Sequence, residues 1–394
     1  MIRAVLIDLD DTLLENKMDV FLPAYFQKLG EYLVDRINPE QMLAELLTGT
    51  QQMLANLDPM CTLERAFADH FYPVLGFDEE PLRDHIEVFY KEIFPTLKTL
   101  TAERPEAKSF VDHLSDQGVD LVVATNPLFP RMAVEERLRW AGFNNELPFD
   151  LITSYEQFHF TKPHLEYFAE ILGRLGLGPQ DAVMLGDDPV YDLAPAQSLG
   201  MGSFHLSQTP SEEHDGGDFE AARLWIEEDH SHSYRENAKS PVAILARARG
   251  HLAAMLALLG ELPEEHWSIT PIQGEWSLGE ILCHLRDVER EVYLDRLNLM
   301  LKEEDAHLVG ADTDAWAAQR QYHCQPGQEA FTTFIQSRLE LIDQLAGLPN
   351  KDWERRARHT LLGPMRLNEV MAIANDHDTI HLAQLRETLA ALQS

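Results

Sequence analysis

Two hydrophobic periodicities divide this chain. Up to about residue 228, short continuous apolar runs alternate with stretches of helical spacing. The runs are "VLIDL" ending at Leu9, "VDLVVAT" over 119–125, "LPFDLITS" ending at Ser154, "DAVMLGDD" over 181–188 and "GSFHL" over 202–206. Their length and continuity are those of strands buried on both faces. Amphipathic spacers at 130–141 and 163–175 supply covering helices, so the expected fold is a doubly wound parallel α/β sheet. The interval 19–102 contains helical stretches, such as 21–35 and 40–47, and no clear strand. It is expected to be a helical cap over the carboxyl ends of the strands, where open sheets bind ligands.

Beyond Pro241 the pattern changes to helix alone. Four amphipathic stretches, at 242–259, 278–301, 328–345 and 367–389, predict a separate all-α four-helix bundle. "SLGE", 277–280, reads as a capping box that starts the second of them. The region 207–218 has loop composition, 219–228 reads as a last helix of the first domain, and 229–240 is the best linker. The expected domains are therefore 1–228 and 241–394, with His230 and His232 in an exposed linker.

Charge and cysteine content narrow the function. The chain has 394 residues, 66 acidic against 32 basic, for a net charge of −34. Such a surface repels polyanions and anionic lipid, so neither nucleic acid nor membrane is an expected partner. On this reading no apolar run approaches the roughly 20 residues of a membrane span. Three cysteines, Cys61, Cys283 and Cys324, match no zinc or C-x-x-C spacing and suit a reducing compartment. With no signal-peptide pattern at the N-terminus, the sequence reads as cytoplasmic.

Polar residues collect where the first-half strands end. Asp8 and Asp10 follow the first, Thr125 and Asn126 the second, Lys162 the third, and Asp187, Asp188 and Asp192 the fourth. Clustered carboxylates repel unless a cation joins them, and hard oxygen ligands suit Mg²⁺. A lysine beside them suits a phosphate oxygen, so the residues point to phosphoryl transfer with a carboxylate nucleophile. The order D-x-D-x-T (8–12), Thr125, "TKP" and "GDDPVYD" (186–192) resembles the haloacid dehalogenase superfamily, mainly its phosphatases with a helical cap. The resemblance implies Asp8 as nucleophile and Asp10 as general acid and then base. It implies Thr125, Asn126 and Lys162 around the phosphoryl group, with Lys162 also orienting Asp8. Mg²⁺ would be held by Asp8, the Asp10 carbonyl and Asp187, and supported by Asp188 or Asp192. The true dehalogenases lack an acid two residues after the nucleophile, so Asp10 favours a phosphatase. The implied substrate is a small phosphorylated metabolite; Tyr25, Arg65 and Phe67 are cap candidates for contacting it.

In the bundle, His284 lies three residues after Ile281 and four before Val288, which turns it inward. His377 lies four after Ile373 and seven after Val370, with His381 one turn further on. Two histidines at i, i+4 and a third on a facing helix can form a three-nitrogen metal face with open positions. "EWSLGEILCHLRDVER" (275–290) and "LNEVMAIANDHDTIHLAQL" (367–385) resemble the DinB-like metal-binding bundle family, which includes thiol-dependent transferases. That resemblance makes His284, His377 and His381 the expected ligands of Zn²⁺, Ni²⁺, Mn²⁺ or Fe²⁺. The whole chain then reads as a Mg²⁺-dependent phosphatase fused to a metal-binding module. The alternative is a non-catalytic bundle that binds metal or mediates homodimerisation, beside a first half of weak or lost activity.

Overall fold

The structure is a computed structural model that describes residues 2–144, 147–207, 214–228, 234–260 and 262–393. It divides into two compact units. The first is Met1–Tyr167 with Pro179–Arg235; the second is Phe168–Gly178 with Glu236–Ser394. Phe168–Gly178 thus groups with the second unit, although its sequence pattern reads with the first. Residues 229–233 of the expected linker, including His230 and His232, lie outside the described residues; Arg235–Lys239 forms a 3₁₀ turn.

The first unit is built on a six-stranded parallel sheet. Across it run Leu151–Ile152, Asp120–Val123, Ala4–Ile7, Ala182–Gly186, Gly202–Leu206 and Gly216–Gly217. Ala4–Ile7 lies inside the sheet with all four residues buried, as its unbroken apolar run demands. Register pairs Ile7 with Val123 on one side and Leu185 on the other, so the three central strands end within one residue of each other. Asp8 and Ala124, which follow the first two, therefore emerge beside Gly186, the last residue of the third, at one edge. The sixth strand, Gly216–Gly217, was not expected, because a two-glycine strand carries no hydrophobic signal.

The cap leaves and returns through one narrow connection. Leu14–Glu15 pairs antiparallel with Ala102–Glu103. Between these lie helices Met18–Leu33, Pro39–Ala55, Leu63–Leu75 and Glu79–Glu92, followed by the 3₁₀ segment Phe94–Leu100. Tyr25, Phe89, Phe94 and Phe129 pack ring against ring in a core continuous with that of the sheet.

The second unit contains helices Pro241–Leu259, Leu278–Val288, Gly327–Ala346 and Leu367–Gln393. The second of these begins at the expected capping box and continues through a π turn, Glu289–Leu294, into Asp295–Lys302. The second and third helices approach closely at Gly279 and Gly327, where a Cβ on either would overlap backbone. Three short strands also occur here: Arg356–His359 pairs parallel with Ala306–Leu308 and antiparallel with Gly363–Arg366. The reading of this half as strand-free is corrected accordingly. So is the reading that no run approaches a membrane span. Pro241–Leu259 has 19 residues and a mean hydropathy of 1.5. Its most apolar window is 67% buried in the bundle, which accounts for that apolarity as core packing.

Candidate active site and metal centre

Asp8 is presented by the end of the central strand, its own N–H donating to the Leu185 carbonyl at 2.9 Å. The chain then turns sharply through Asp11, at φ 57°, and Asp11 accepts from the Asn16 N–H at 3.2 Å. Thr125 follows the neighbouring strand. Its carbonyl accepts from Thr153 Oγ1 at 2.7 Å and from the Tyr167 hydroxyl at 2.8 Å, which pins the loop. Asn126 Oδ1 accepts from the Lys162 N–H at 3.2 Å. Lys162 Nζ, 2% exposed as a residue, donates to Asp8 Oδ1 at 2.8 Å and to Asp192 Oδ1 at 2.5 Å. Asp192 also accepts from the Asp188 N–H at 3.2 Å, and any side chain at Gly186 would overlap its carboxylate.

Oxygens of Asp8, Asp187 and Asp192 lie within 4.8 Å of one another. Burial raises the Asp8 carboxyl to about 7 against the pull of Lys162, with Asp192 and Asp10 pushing the same way as burial. Burial raises Asp187 to about 6, helped by the charges of Asp8 and Asp11. Lys162 is held charged, since the attraction of Asp192 and Asp8 outweighs its desolvation. Three acids against one buried cation leave excess negative charge, and a hard divalent cation fits that surplus.

The expected residues do not all converge. Asp188 spends its Oδ1 on the N–H groups of Val190 and Tyr191, capping the turn that follows. The Asp10 carboxylate is not one of the three clustered carboxylates. Its Oδ2 accepts from Arg137 Nη1 at 2.6 Å and its Oδ1 from Asn16 Nδ2 at 2.7 Å. Arg137 is fully buried, and sequence reading missed it. Its spacing from Ala133 and Val134, four and three residues earlier, was the available signal. Of the cap candidates, Tyr25 and Phe67 line a cavity, whereas Arg65 is exposed and pairs with Asp69.

In the second unit the three histidines meet. His377 Nε2 lies 3.1 Å from His284 Nε2 and 3.2 Å from His381 Nε2. Burial lowers His284 to about 3, reinforced by the other two rings, and lowers His377 to about 4. The rings are therefore neutral near pH 7. Nitrogens about 3.1 Å apart can each sit about 2 Å from one ion, the usual metal–imidazole distance. His381 Nδ1 contacts Gln384 Oε1 at 3.0 Å, which fixes that ring with Nε2 as the acceptor. The inward phase of His377 does not come from Ile373, which is 37% exposed, but from the side shared with Val370 and Ala374.

The sequence profile of the haloacid dehalogenase-like hydrolases matches residues 2–200, just over half of the chain. The chain belongs to that family. Residues 247–385 match the DinB superfamily. Among curated relatives of the hydrolase, a ribulose-1,5-bisphosphate 5-phosphatase of Halopiger xanaduensis is 34% identical over 112 residues. That alignment covers 28% of this chain and 44% of the relative, less than half of the relative's length. A glyceraldehyde 3-phosphate phosphatase of Methanocaldococcus jannaschii is 29% identical over 207 residues, covering 51% of this hydrolase and 83% of the relative. Among solved structures, Bacillus subtilis YfiT, described as a probable metal-dependent hydrolase with an unusual four-helix bundle topology, aligns at 16% identity. It covers 50% of this hydrolase and 98% of YfiT, with a TM-score of 0.34.

Proposed function

We propose that this hydrolase is a Mg²⁺-dependent phosphoric monoester hydrolase that works through an aspartyl-phosphate. The observation that carries the reading is Lys162 bridging Asp8 and Asp192 beside Asp187 at the ends of the central strands. Family membership and phosphatase-named relatives support the same reaction class. Asp8, Asp187 and the Asp10 carbonyl would hold the Mg²⁺, which when bound would neutralise charge on the phosphoryl group. Lys162, Thr125 and Asn126 cradle the phosphoryl oxygens. Asp8 attacks phosphorus, the ester P–O bond breaks, and Asp10 gives the leaving alkoxide its proton. Asp10 then takes a proton from water, whose oxygen attacks the same phosphorus. Inorganic phosphate leaves and the Asp8 carboxylate is restored. Arg137 and Asn16 hold both Asp10 oxygens, a bonding pattern suited to the second, proton-accepting half. The bundle is proposed to bind a divalent transition metal through His284, His377 and His381.

The test is phosphate release from a panel of small monoesters with Mg²⁺, beside Asp8→Asn. The variant keeps shape and loses the attacking carboxylate. Wild-type turnover with the variant lower by at least about 10³-fold is expected. Equal rates in both would sink the assignment of Asp8.

A further inference from the structure

Little that touches the Asp187 carboxylate fixes its direction. Among the described residues it accepts a long bond from Thr12 Oγ1, at 3.4 Å, and one from its own N–H. Its aim must therefore come from the backbone, and the peptide unit that joins Asp187 to Asp188 is held at both ends. The N–H of that unit, on Asp188, donates to Asp192 Oδ2 at 3.2 Å. The carbonyl, on Asp187, lies 3.0 Å from His205 Nε2. A carbonyl only accepts, so Nε2 carries the proton and donates it. The peptide is planar, so bonds at its two ends stop it rotating and set the last backbone torsion of Asp187. Asp192 is bound in turn to Lys162, and Lys162 to Asp8. His205 thus ends a continuous hydrogen-bonded chain that begins at the nucleophile.

Register explains why a side chain does this work. The strand Gly202–Leu206 pairs with Ala182–Gly186 and sets His205 against Gly186, the last paired residue. Asp187 lies one position beyond that ladder, and the imidazole takes over where the backbone pairing stops. His205 is the one residue of its strand that is not buried. The Asp187 carbonyl is the ring's single hydrogen-bond partner among the described residues, because Nδ1 is buried and meets none. His205 and Asp187 also share the wall of a polar cleft of about 280 Å³. Water in that cleft can take over the carbonyl when the ring is removed, so the bond serves the aim of Asp187 more than the stability of the strand.

We propose that His205 is a positioning residue for the Mg²⁺ site: by holding the Asp187–Asp188 peptide it aims the Asp187 carboxylate at the position beside Asp8, and so sets the affinity for Mg²⁺. This rests on the Mg²⁺-dependent reading above and adds to it a residue that touches neither the ester nor the ion. Groups that orient metal ligands from behind are commonly worth about 10- to 100-fold in metal affinity.

The test is calorimetric titration of Mg²⁺ into the full chain at pH 8 and about 0.15 M salt, which screens the acidic surface. His205→Leu keeps bulk and loses the donor, whereas His205→Gln offers an amide N–H at the same reach. The dissociation constant is expected to rise about 10- to 100-fold in His205→Leu and to stay within about threefold of wild type in His205→Gln. With phenyl phosphate, the Mg²⁺ concentration that gives half of the full rate should rise by the same factor in His205→Leu, with kcat recovered at saturating Mg²⁺. An affinity in His205→Leu within about twofold of wild type overturns the proposal. So does an equal loss in both variants, or a fall in kcat that saturating Mg²⁺ does not restore. If His205→Leu does not fold, His205→Asn, whose amide ends short of the carbonyl, takes its place. Mg²⁺ binding with the expected split, but no turnover of any ester, retires the phosphatase reading and leaves the role of His205 standing. No Mg²⁺ binding to wild type overturns the Mg²⁺ site and the role of His205 together.

Discussion

Asp8 and Asp187 carry the charge excess that a cation would relieve. In the metal-free protein they titrate near 7 and 6, above the ordinary aspartate value of 3.8. Between about pH 4 and 7 the folded chain therefore holds more protons at these sites than the unfolded chain. Their contribution to stability is present at low pH and is lost as pH rises through 7. Mg²⁺ must displace those protons, so its affinity should strengthen with pH by up to about tenfold per unit between about pH 6 and 7, and by up to about a hundredfold per unit below 6, where both sites hold a proton. Calorimetric Mg²⁺ titrations between pH 5 and 8 would show this slope, and a pH-independent affinity would count against Asp8 and Asp187 as ligands. At this scale the nucleophile and lysine candidates were readable because strand ends fix their positions and their spacing is unusual. Arg137 and Asn16 were not singled out. An arginine in an amphipathic helix normally faces solvent, and only the tertiary fold turns this one toward Asp10.

Helix-scale packing in the bundle depends on a buried charge network. Arg338 donates to Glu289 at 2.5 and 3.0 Å and to Asp378 at 2.7 and 3.0 Å, while His251 contacts Asp378 at 3.3 Å. Arg338, Glu289 and Asp378 are each about 1% exposed. Glu289 opens the π turn Glu289–Leu294, which resets the phase of the long helix at the point where it meets Arg338. Arg338→Met would leave two buried carboxylates without their cation, a loss of about 3–5 kcal/mol in this kind of arrangement. Urea unfolding of the two proteins measures it; a loss under about 1 kcal/mol would mean that water enters the network on mutation. The four helices of this unit were legible because long 3.6-residue periodicity survives a local π turn. Its strands were not: Arg356–His359 and Gly363–Arg366 have four residues each, too short for period-two alternation to stand out, and their exposed positions are arginines and a proline. The two-residue strand at Leu151–Ile152 was found only because a longer apolar run surrounds it.

On the scale of the whole chain, two chemistries occupy two compact units. The acidic strand-end cluster suits a hard cation, and the neutral three-histidine cluster suits a softer one. The division into a sheet and a bundle was visible as a change of period near Pro241. The grouping of Phe168–Gly178 with the bundle unit was not, because an apolar helix face does not say which core it joins. The donor chemistry makes the metal requirements separable. Three uncharged imidazoles bring their Nε2 atoms together, and a bound ion would take all three as ligands. His377 sits between the other two, so His377→Ala leaves at most two imidazoles of the set. Purified wild-type protein is expected to carry about one equivalent of transition metal, and the variant less than about a tenth of that, by elemental analysis. Mg²⁺-dependent phosphate release should be the same in both, because His377 is no part of the strand-end cluster. Equal metal content would remove the histidines as the principal ligands. Loss of phosphate release together with the metal would instead make the bundle a functional element of the hydrolase and exclude a merely appended module.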